Sequence, residues 1–600
     1  MSRRKRTITL LVLLAFVVAS VPSFTSEAGT FRPVIRGKRG TVAGGNPLAL
    51  EAGLRMLEAG GNAVDAGVAA VLAASVVEFS HFSFGGEAVI LIRLRDQQVA
   101  VIEGQGPAPA KATREFFVNR GGSIPGTGPL AATVPALLDA CVTALDRFGT
   151  KTLSEVLRPA IELADGFPLD EVLVYYIQTR ARVFSQWPDA RRVFLPGGEV
   201  PKVGDMFIQA DLARTLREIA RAEQQAADRA PNDRHAGLMA ARDYFYRGPV
   251  GRRIGDHMQA IGGLLDADDL ARFQARVGEP VETDYRGYQV YKPGFWTQGP
   301  TLIETLNLLE GFDLRRMGHN SAAYIHTVTE ALKLGFADRD QYYGDPDFVR
   351  IPTELVSKRY AAVRRPLIDA SRASLAQRPG DPLNLRPVLA SGVKTGSHRS
   401  NVPLHERAQD TTCVNVVDKD GNLFSATPSG AWLPAVVAGD TGVLMSERLQ
   451  SAVTDANRPN VVAPGKRPRV TLSPTLVLKA GEPFMVLSTP GGDSQDQALL
   501  QALLNIIEFG MNPQEAVEAP RFDTQHYRNS FEHEFLPGSL SVESRVARPV
   551  IQALKSRGHK VTVLSEWGSP SAPTVILYDT KNGVSSAGAD LRRGRYAIAW

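Results

Sequence analysis

The sequence predicts an α+β protein in which helices dominate the first two thirds of the chain and strands the last third. Three observations predict it. Apolar residues recur at helical spacing from Asn46 onward and through most of residues 130–343. After residue 411 the period shortens to alternation bounded by Gly, Pro and Asp turns. The chain has 600 residues, 44% of them apolar, and only two cysteines, Cys141 and Cys413, so a large core rather than a disulfide framework must hold it together.

Residues 1–30 read as an export segment. "MSRRKR" is basic, Ile8 to Val18 is apolar but too short to cross a bilayer, and "VASVPSFTSEAG" offers small residues for cleavage. An uncleaved anchor is the alternative, and Arg3-Arg4 leaves a twin-arginine route open. The expectation is an exported protein, periplasmic or extracellular. Without this segment four basic residues (Arg3, Arg4, Lys5, Arg6) and one acid (Glu27) are lost, so the net charge falls from +5 to +2. Nothing in that balance argues for a nucleic-acid partner.

The first helix has legible ends: Asn46 caps it, Pro47 suits its first turn, Leu50, Leu54 and Leu57 share a face, and Gly60-Gly61 stops it. "NAVDAGVAAVLAASVVEF" is apolar all round and reads as a buried helix. Val89 to Arg93 and Val99 to Glu103 read as a hairpin. Residues 130–343 are mostly helical, with "EQQAADRAPNDRHAG" (223–237) as a surface excursion. The tract from 373 to 410 is rich in Pro, Gly, Ser and Arg and reads as flexible. Beyond it, Thr412–Val417 pairs with Leu423–Thr427 across "DKDG", and Thr475–Leu478 with Phe484–Ser488 across "KAGEP". Helices at about 495–509 and 547–556 and a strand at 574–578 complete the chain.

Asp410, Thr411 and Thr412 stand where the flexible tract meets the first of these strands. A bland reading is a strand start, since threonine favours β-structure. A sharper one makes Thr411 a nucleophile. No histidine or lysine is near in sequence to take its proton, but its own α-amine can, once the preceding peptide bond is cut. An α-amine titrates at about 7.7–8, close to working pH. In "STPGGDSQDQALL" Gly491 and Gly492 open a helix, where backbone N–H groups can approach a substrate and stabilise negative charge. A tight strand-to-helix turn is the plain alternative.

Other signals are weaker. Ser391 and Lys394 form S-x-x-K in the flexible tract, without the K-T-G that would accompany it in penicillin-recognising enzymes. The ten histidines never fall at H-x-x-x-H spacing, so no metal site and no cofactor are expected. His81 reads as a hydrogen-bonded core histidine or a pocket residue, and Trp296 as core or pocket wall.

The stretches "GGNAVDAGVAA", "APAKATREFF", "DYRGYQVY", "FADRDQYYGDPDFV", "DTTCVNVVDKDGN", "GKRPRVTLSPT" and "STPGG" occur in the order and spacing of one family. The chain resembles the γ-glutamyltransferases (γ-glutamyltranspeptidases), members of the N-terminal-nucleophile hydrolase class, over nearly its whole mature length. The resemblance implies a precursor that cuts itself between Asp410 and Thr411. Its fragments, 31–410 and 411–600, then stay together as a heterodimer in a four-layered αββα fold. Thr411 becomes the nucleophile, Ser429 the assisting hydroxyl, and Gly491 and Gly492 the oxyanion donors.

At the substrate end the residues depart from the family. Gln105 stands where an arginine grips the substrate α-carboxylate. Arg448 and Ser451 stand where acidic or amide residues receive its ammonium, unless a one-residue slip returns Glu447 to the first place. Val470 and Thr471 replace paired serines, and Cys413 replaces a histidine. Losing the partner of a buried charge costs about 3–5 kcal/mol, or two to four decades of discrimination. The expected partner is a small-molecule amide, with water or an amine as acceptor. Three readings follow: γ-glutamyl transfer or hydrolysis of glutathione and related amides; an acylase for a non-glutamyl group such as glutaryl or a small dicarboxylic monoamide; or a binding protein that retains the fold without turnover.

Overall fold

In a computed structural model of the chain, residues 29–231, 233–389 and 411–600 are described. All but the end of the expected export segment, the Ser391–Lys394 pair and Asp410 lie outside them.

Asn46 accepts Leu48 N–H at 2.9 Å and starts the helix Pro47–Glu58, while Ala63–Val77 is buried along its whole length. Asp65 closes a capping box with Asn62 and also accepts the Thr150 and Lys151 amides at 2.8 and 2.9 Å, which fastens the next helical segment to this one.

Residues Val34–Trp600 form one body, and its strands assemble into two seven-stranded sheets besides smaller ones. The first runs in the order Tyr596–Ala599, Gly40–Gly44, Val414–Asp418, Leu423–Ser429, Glu87–Arg93, Ala100–Gly104, Arg276–Gly278. The second runs Ile35–Gly37, Val584–Ala589, Thr574–Asp579, Glu482–Ser488, Thr475–Lys479, Tyr288–Lys292, Val281–Tyr285. Neighbours in both are antiparallel.

Strand alternation decides what each face covers. Ala43, Val89 and Leu91 of the first sheet share an apolar cluster with Leu476, Leu478, Val486 and Ile576 of the second. The intervening Val42, Ile90 and Ile92 turn to the helices of residues 47–77 and 137–148. Val477, Met485 and Leu487 turn to Pro300–Leu309, Ala322–Tyr342 and Gln495–Ile507. Each such Val, Leu, Ile or Met side chain is worth about 1.5–3 kcal/mol when fully buried.

Two expectations need correction. The polar run 223–237 includes the end of the helix Ala210–Arg229 and the start of Arg234–Tyr246, and its first residue is buried. Glu223 accepts the Leu153 and Ser154 amides at 2.8 and 2.6 Å and so satisfies the start of the helix Leu153–Asp165. The tract 373–410, expected to be flexible throughout, is pinned over its described first half. Ala373 N–H donates to Arg557 O at 2.7 Å, Gly380 N–H to the Asp338 carboxylate at 2.8 Å, and Arg378 pairs with Glu330. Composition missed this because the partners lie on the helix Ala322–Tyr342 and near the helix Arg548–Ser556.

Candidate active site

The first sheet places Thr411 just before the strand Val414–Asp418 and Ser429 at the end of its hairpin partner. Thr411 Oγ1 lies 2.9 Å from Ser429 Oγ, and both residues are wholly buried. Thr411 N–H donates to the His81 carbonyl at 2.9 Å. The Thr411 backbone has φ +90°, a strained conformation for a β-branched residue that costs about 1–3 kcal/mol. Strain sits at the residue whose preceding bond was expected to break.

Thr412 Oγ1 accepts from Arg595, which also approaches Glu78 at 3.5 Å. Cys413 Sγ is 3.7 Å from Thr574 Oγ1, and burial raises its thiol above the usual range. His81 is a core histidine bonded through Nδ1 to Ser80 Oγ at 2.6 Å. Burial, then the Arg593, Arg595 and Arg180 charges, hold its ring well below the usual histidine range.

In the register of the sheet Ser429 faces Glu87, and Arg448 bridges the two, with Nη2 2.8 Å from Ser429 Oγ and Nε 2.6 Å from Glu87 Oε1. Its Nη1 is 3.4 Å from Ser451 Oγ. Arg448 therefore faces the hydroxyl that neighbours Thr411. Its own neighbour Glu447 is buried, neither carboxylate oxygen makes a well-formed hydrogen bond, and burial holds the group well above the usual carboxylate range against weaker help from Gly128 N–H and Arg180.

Gln105 lies one strand beyond Glu87, just after Ala100–Gly104. Its Nε2 donates to Pro468 O, while Oε1 is buried without a partner. It lines a cavity of ≈ 510 Å³ whose Arg467 pairs with Glu103 and Asp345. Val470 belongs to the core between the sheets and exchanges backbone hydrogen bonds with Trp296 and Gln298. Trp296 is core. Thr471 Oγ1 lies 3.5 Å from Gln495 Nε2 and is equally buried.

The second sheet brings the glycine turn to the same end of the molecule. Ser488, the last residue of its strand, donates to Asn415 Oδ1 at 3.0 Å, so Thr411 precedes and Gly491 follows a point where the sheets are bonded together. Gly491 and Gly492 have φ +127° and +56°, and neither amide donates a hydrogen bond among the described residues. They border a cavity of ≈ 560 Å³ lined in part by Tyr527, Phe531, Trp567 and Asp523. Burial pushes the Asp523 carboxyl up to about 6, opposed by the Ser494 hydroxyl. The pairing of buried hydroxyls, an orientable amide nitrogen and unengaged backbone donors suits acyl transfer.

Sequence reading missed Glu87, the Trp432 and Phe531 rings beside the Arg448 guanidinium, and Ser571 beside Gly491. Only Glu87 had a local signal, an acid immediately before the apolar run Ala88–Ile92. Among the described residues, His326, Glu330 and His559 bring potential metal-ligand atoms within 4.8 Å of one another. They are engaged already: His326 Nδ1 and His559 Nε2 bond at 2.8 Å, and Lys333 holds Glu330 at 2.5 Å.

A match to the γ-glutamyltranspeptidase family spans residues 49–600. The chain belongs to that family. It is 34% identical to the glutathione hydrolase proenzyme of Escherichia coli over 94% of both chains. It is also 34% identical to the acylase ACY 1 proenzyme of a Pseudomonas species, over 91% of this chain and 90% of that one. The cephalosporin acylase of Bacillus halodurans superposes with TM-score 0.81 at 29% identity, covering 97% of this chain and 99% of that one. The chain is accordingly an enzyme of the family, and its relatives include both glutathione hydrolases and acylases.

Proposed function

We propose that this protein is an exported, self-cleaving amide hydrolase or acyltransferase that works through an ester on Thr411. The Thr411–Ser429 contact at 2.9 Å at the end of two bonded sheets is the observation that carries this reading. The helix–sheet–sheet–helix packing supports the four-layered arrangement of N-terminal-nucleophile hydrolases.

In the precursor, Thr411 Oγ attacks the Asp410 carbonyl carbon. The C–N bond breaks, the hydroxyl proton ends on the freed nitrogen, and water hydrolyses the resulting ester to leave a carboxylate and a free amine. In turnover that amine takes the Thr411 Oγ proton as Oγ adds to the substrate carbonyl. The Gly491 and Gly492 amides face the oxyanion, the ammonium returns the proton to the leaving amine, and water or an acceptor amine then attacks the acyl ester. The substrate enters along the cavity beside the glycine turn.

For the acyl group, γ-glutamyl amides including glutathione are the first reading. The neutral Gln105, which cannot form an ion pair with the α-carboxylate of a zwitterionic head, supports the second: a non-glutamyl acyl group such as glutaryl. Intact mass and N-terminal sequencing of purified protein test the cut, with a fragment beginning T-T-C-V-N expected and a single active chain sinking it. Thr411→Ala should stay whole and inactive, whereas Thr411→Ser should still process. Side-by-side kcat/KM for a γ-glutamyl anilide and its des-amino glutaryl counterpart separates the acyl readings. A γ-glutamyl advantage of about tenfold, or 1.36 kcal/mol, restores ordinary γ-glutamyl chemistry.

A further inference from the structure

A buried guanidinium that touches the nucleophile's neighbour asks for an explanation. Arg448 has no exposed surface. Glu87 bonds its Nε at 2.6 Å, and the Trp432 and Phe531 rings lie 5.0 and 6.0 Å from its Cζ. These contacts fix the remaining fork, whose Nη2 donates to Ser429 Oγ at 2.8 Å. A serine hydroxyl has one proton and two lone pairs. With one lone pair taken by an obligate donor, the hydroxyl is oriented for its 2.9 Å contact with Thr411 Oγ1.

We infer that Arg448 is a positioning residue for Thr411: the Glu87–Arg448 pair fixes Ser429, and through it the Thr411 hydroxyl, while setting a positive charge two hydrogen bonds from the nucleophile. The inference rests on Thr411 being the nucleophile. It assigns the guanidinium to the protein's own machinery instead of the acyl group.

The charge has a consequence of definite sign. In the cut enzyme Arg448 lies within about 6 Å of Thr411 Oγ and opposes protonation of the α-amine, keeping the base free at lower pH. Glu87 offsets part of that field. Among the described residues, the other ionisable groups around Thr411 and Arg448 are the Arg595–Glu78 pair against Thr412, the neutral His81 ring, Cys413, Glu447, and Arg593 and Arg180, which act on His81. None of these changes in the variants below.

The test is the pH dependence of kcat/KM on processed enzyme, read with whichever of the γ-glutamyl and glutaryl anilides the wild type cleaves. Arg448→Met should lower kcat about tenfold or more with little change in KM, and move the acid limb up by about one pH unit. Glu87→Gln, which can still accept from Arg448, should move that limb down. Arg448→Lys should keep the limb near the wild-type position while kcat stays reduced, because the charge remains and the fork does not.

Limbs that stay put, or that move the same way in Arg448→Met and Glu87→Gln, overturn the inference. So does a loss confined to KM, which would make Arg448 a substrate contact. Should Arg448→Met fail to fold or process, the downward shift in Glu87→Gln decides alone. Thr411→Ala distinguishes the two levels: activity surviving there sinks the nucleophile itself, whereas an inactive Thr411→Ala with unmoved limbs sinks only the role of Arg448.

Discussion

Replacing Gly491 by alanine puts the proposed oxyanion turn under the most direct strain. A Cβ at Gly491 would stand 2.2 Å from Ser571 Oγ and 3.0 Å from Ser571 Cα. Rotating the serine hydroxyl relieves the first contact but leaves the second, so backbone must move. The φ of +127° is itself closed to L-residues, at a cost of about 1–3 kcal/mol. If the turn relaxes by rotating its peptide planes, the amide aimed at the oxyanion turns away, and one lost donor is worth about 2.7–4 kcal/mol, or 10²–10³ in kcat. Gly492→Ala is the control: its φ of +56° lies in the left-handed region that alanine tolerates for about 1–2 kcal/mol, and the nearest obstacle is the half-buried Phe531 ring at 3.1 Å. The expected result is a fall of about 10²–10³ in kcat for Gly491→Ala and a much smaller one for Gly492→Ala. Adding Ser571→Gly should recover only part of the loss, since φ is unchanged. Initial rates on processed enzyme, with thermal melting as the folding check, give the answer. A Gly491→Ala enzyme that is folded and as active as wild type would refute the assignment of the turn.

Three further outcomes concern stability and are best read on the uncut Thr411→Ala chain. Glu447 has its carboxyl pKa raised by burial, so the unfolded state sheds its proton first and stability falls as pH rises above about 4.3. Glu447→Gln should therefore melt higher than its parent at pH 7–8 and no higher at pH 4; equal shifts at both would refute the reasoning. Burial, with Lys333 and other neighbouring charges, holds His559 down to about 3, so its contribution is complete above about 6.5 and lost as pH falls from there. His559→Gln should flatten that acid decline in melting temperature; an unchanged slope would place the decline elsewhere. Asp65→Asn keeps one acceptor oxygen and turns the other into a donor, so either the Asn62 N–H and Thr150 hydroxyl or the Thr150 and Lys151 amides lose theirs, which should cost about 2–4 kcal/mol in urea unfolding; a loss under about 0.5 kcal/mol would show that water substitutes.

What could be read from the sequence was local. The helix beginning at Asn46, the buried helix Ala63–Val77 and the two hairpins after residue 411 follow from caps, periods and turn residues only a few positions apart. Thr411, Gly491 and Gly492 stand out through a tract-to-strand junction and a glycine turn, each a short motif, whereas Ser429 is reached only through the family resemblance. Arg448 was singled out too, as were Ser429 and Ser451 beside it, but its carboxylate partner was not. Glu87 lies 361 residues away, and no period connects them. Arg378 and Gly380 were misread for the same reason: proline, glycine and arginine mark a flexible tract by composition, yet here Glu330 and Asp338 on one buried helix hold them. The His326–His559 contact, across 233 residues, has no signature in spacing at all.

The strand order also bears on what self-cleavage can do. Val414–Asp418 lies between Gly40–Gly44 and Leu423–Ser429, and the latter pairs with Glu87–Arg93. A cut before Thr411 would thus leave both sheets woven from both fragments, with residues 414–429 flanked on either side by strands from before the cut. Separation would break five ladders, three in the first sheet and two in the second, and expose the apolar layers on both faces, so the fragments have no route apart short of unfolding. The site is woven in the same way: Glu87 and the His81 carbonyl come from before the cut, Thr411, Ser429, Arg448 and the glycine turn from after it. A C-terminal fragment expressed alone from Thr411 would lack the Glu87 end of the Arg448 fork and the acceptor for its own amino group. Restoring activity to it should require residues 34–410 during folding, not merely their addition afterwards.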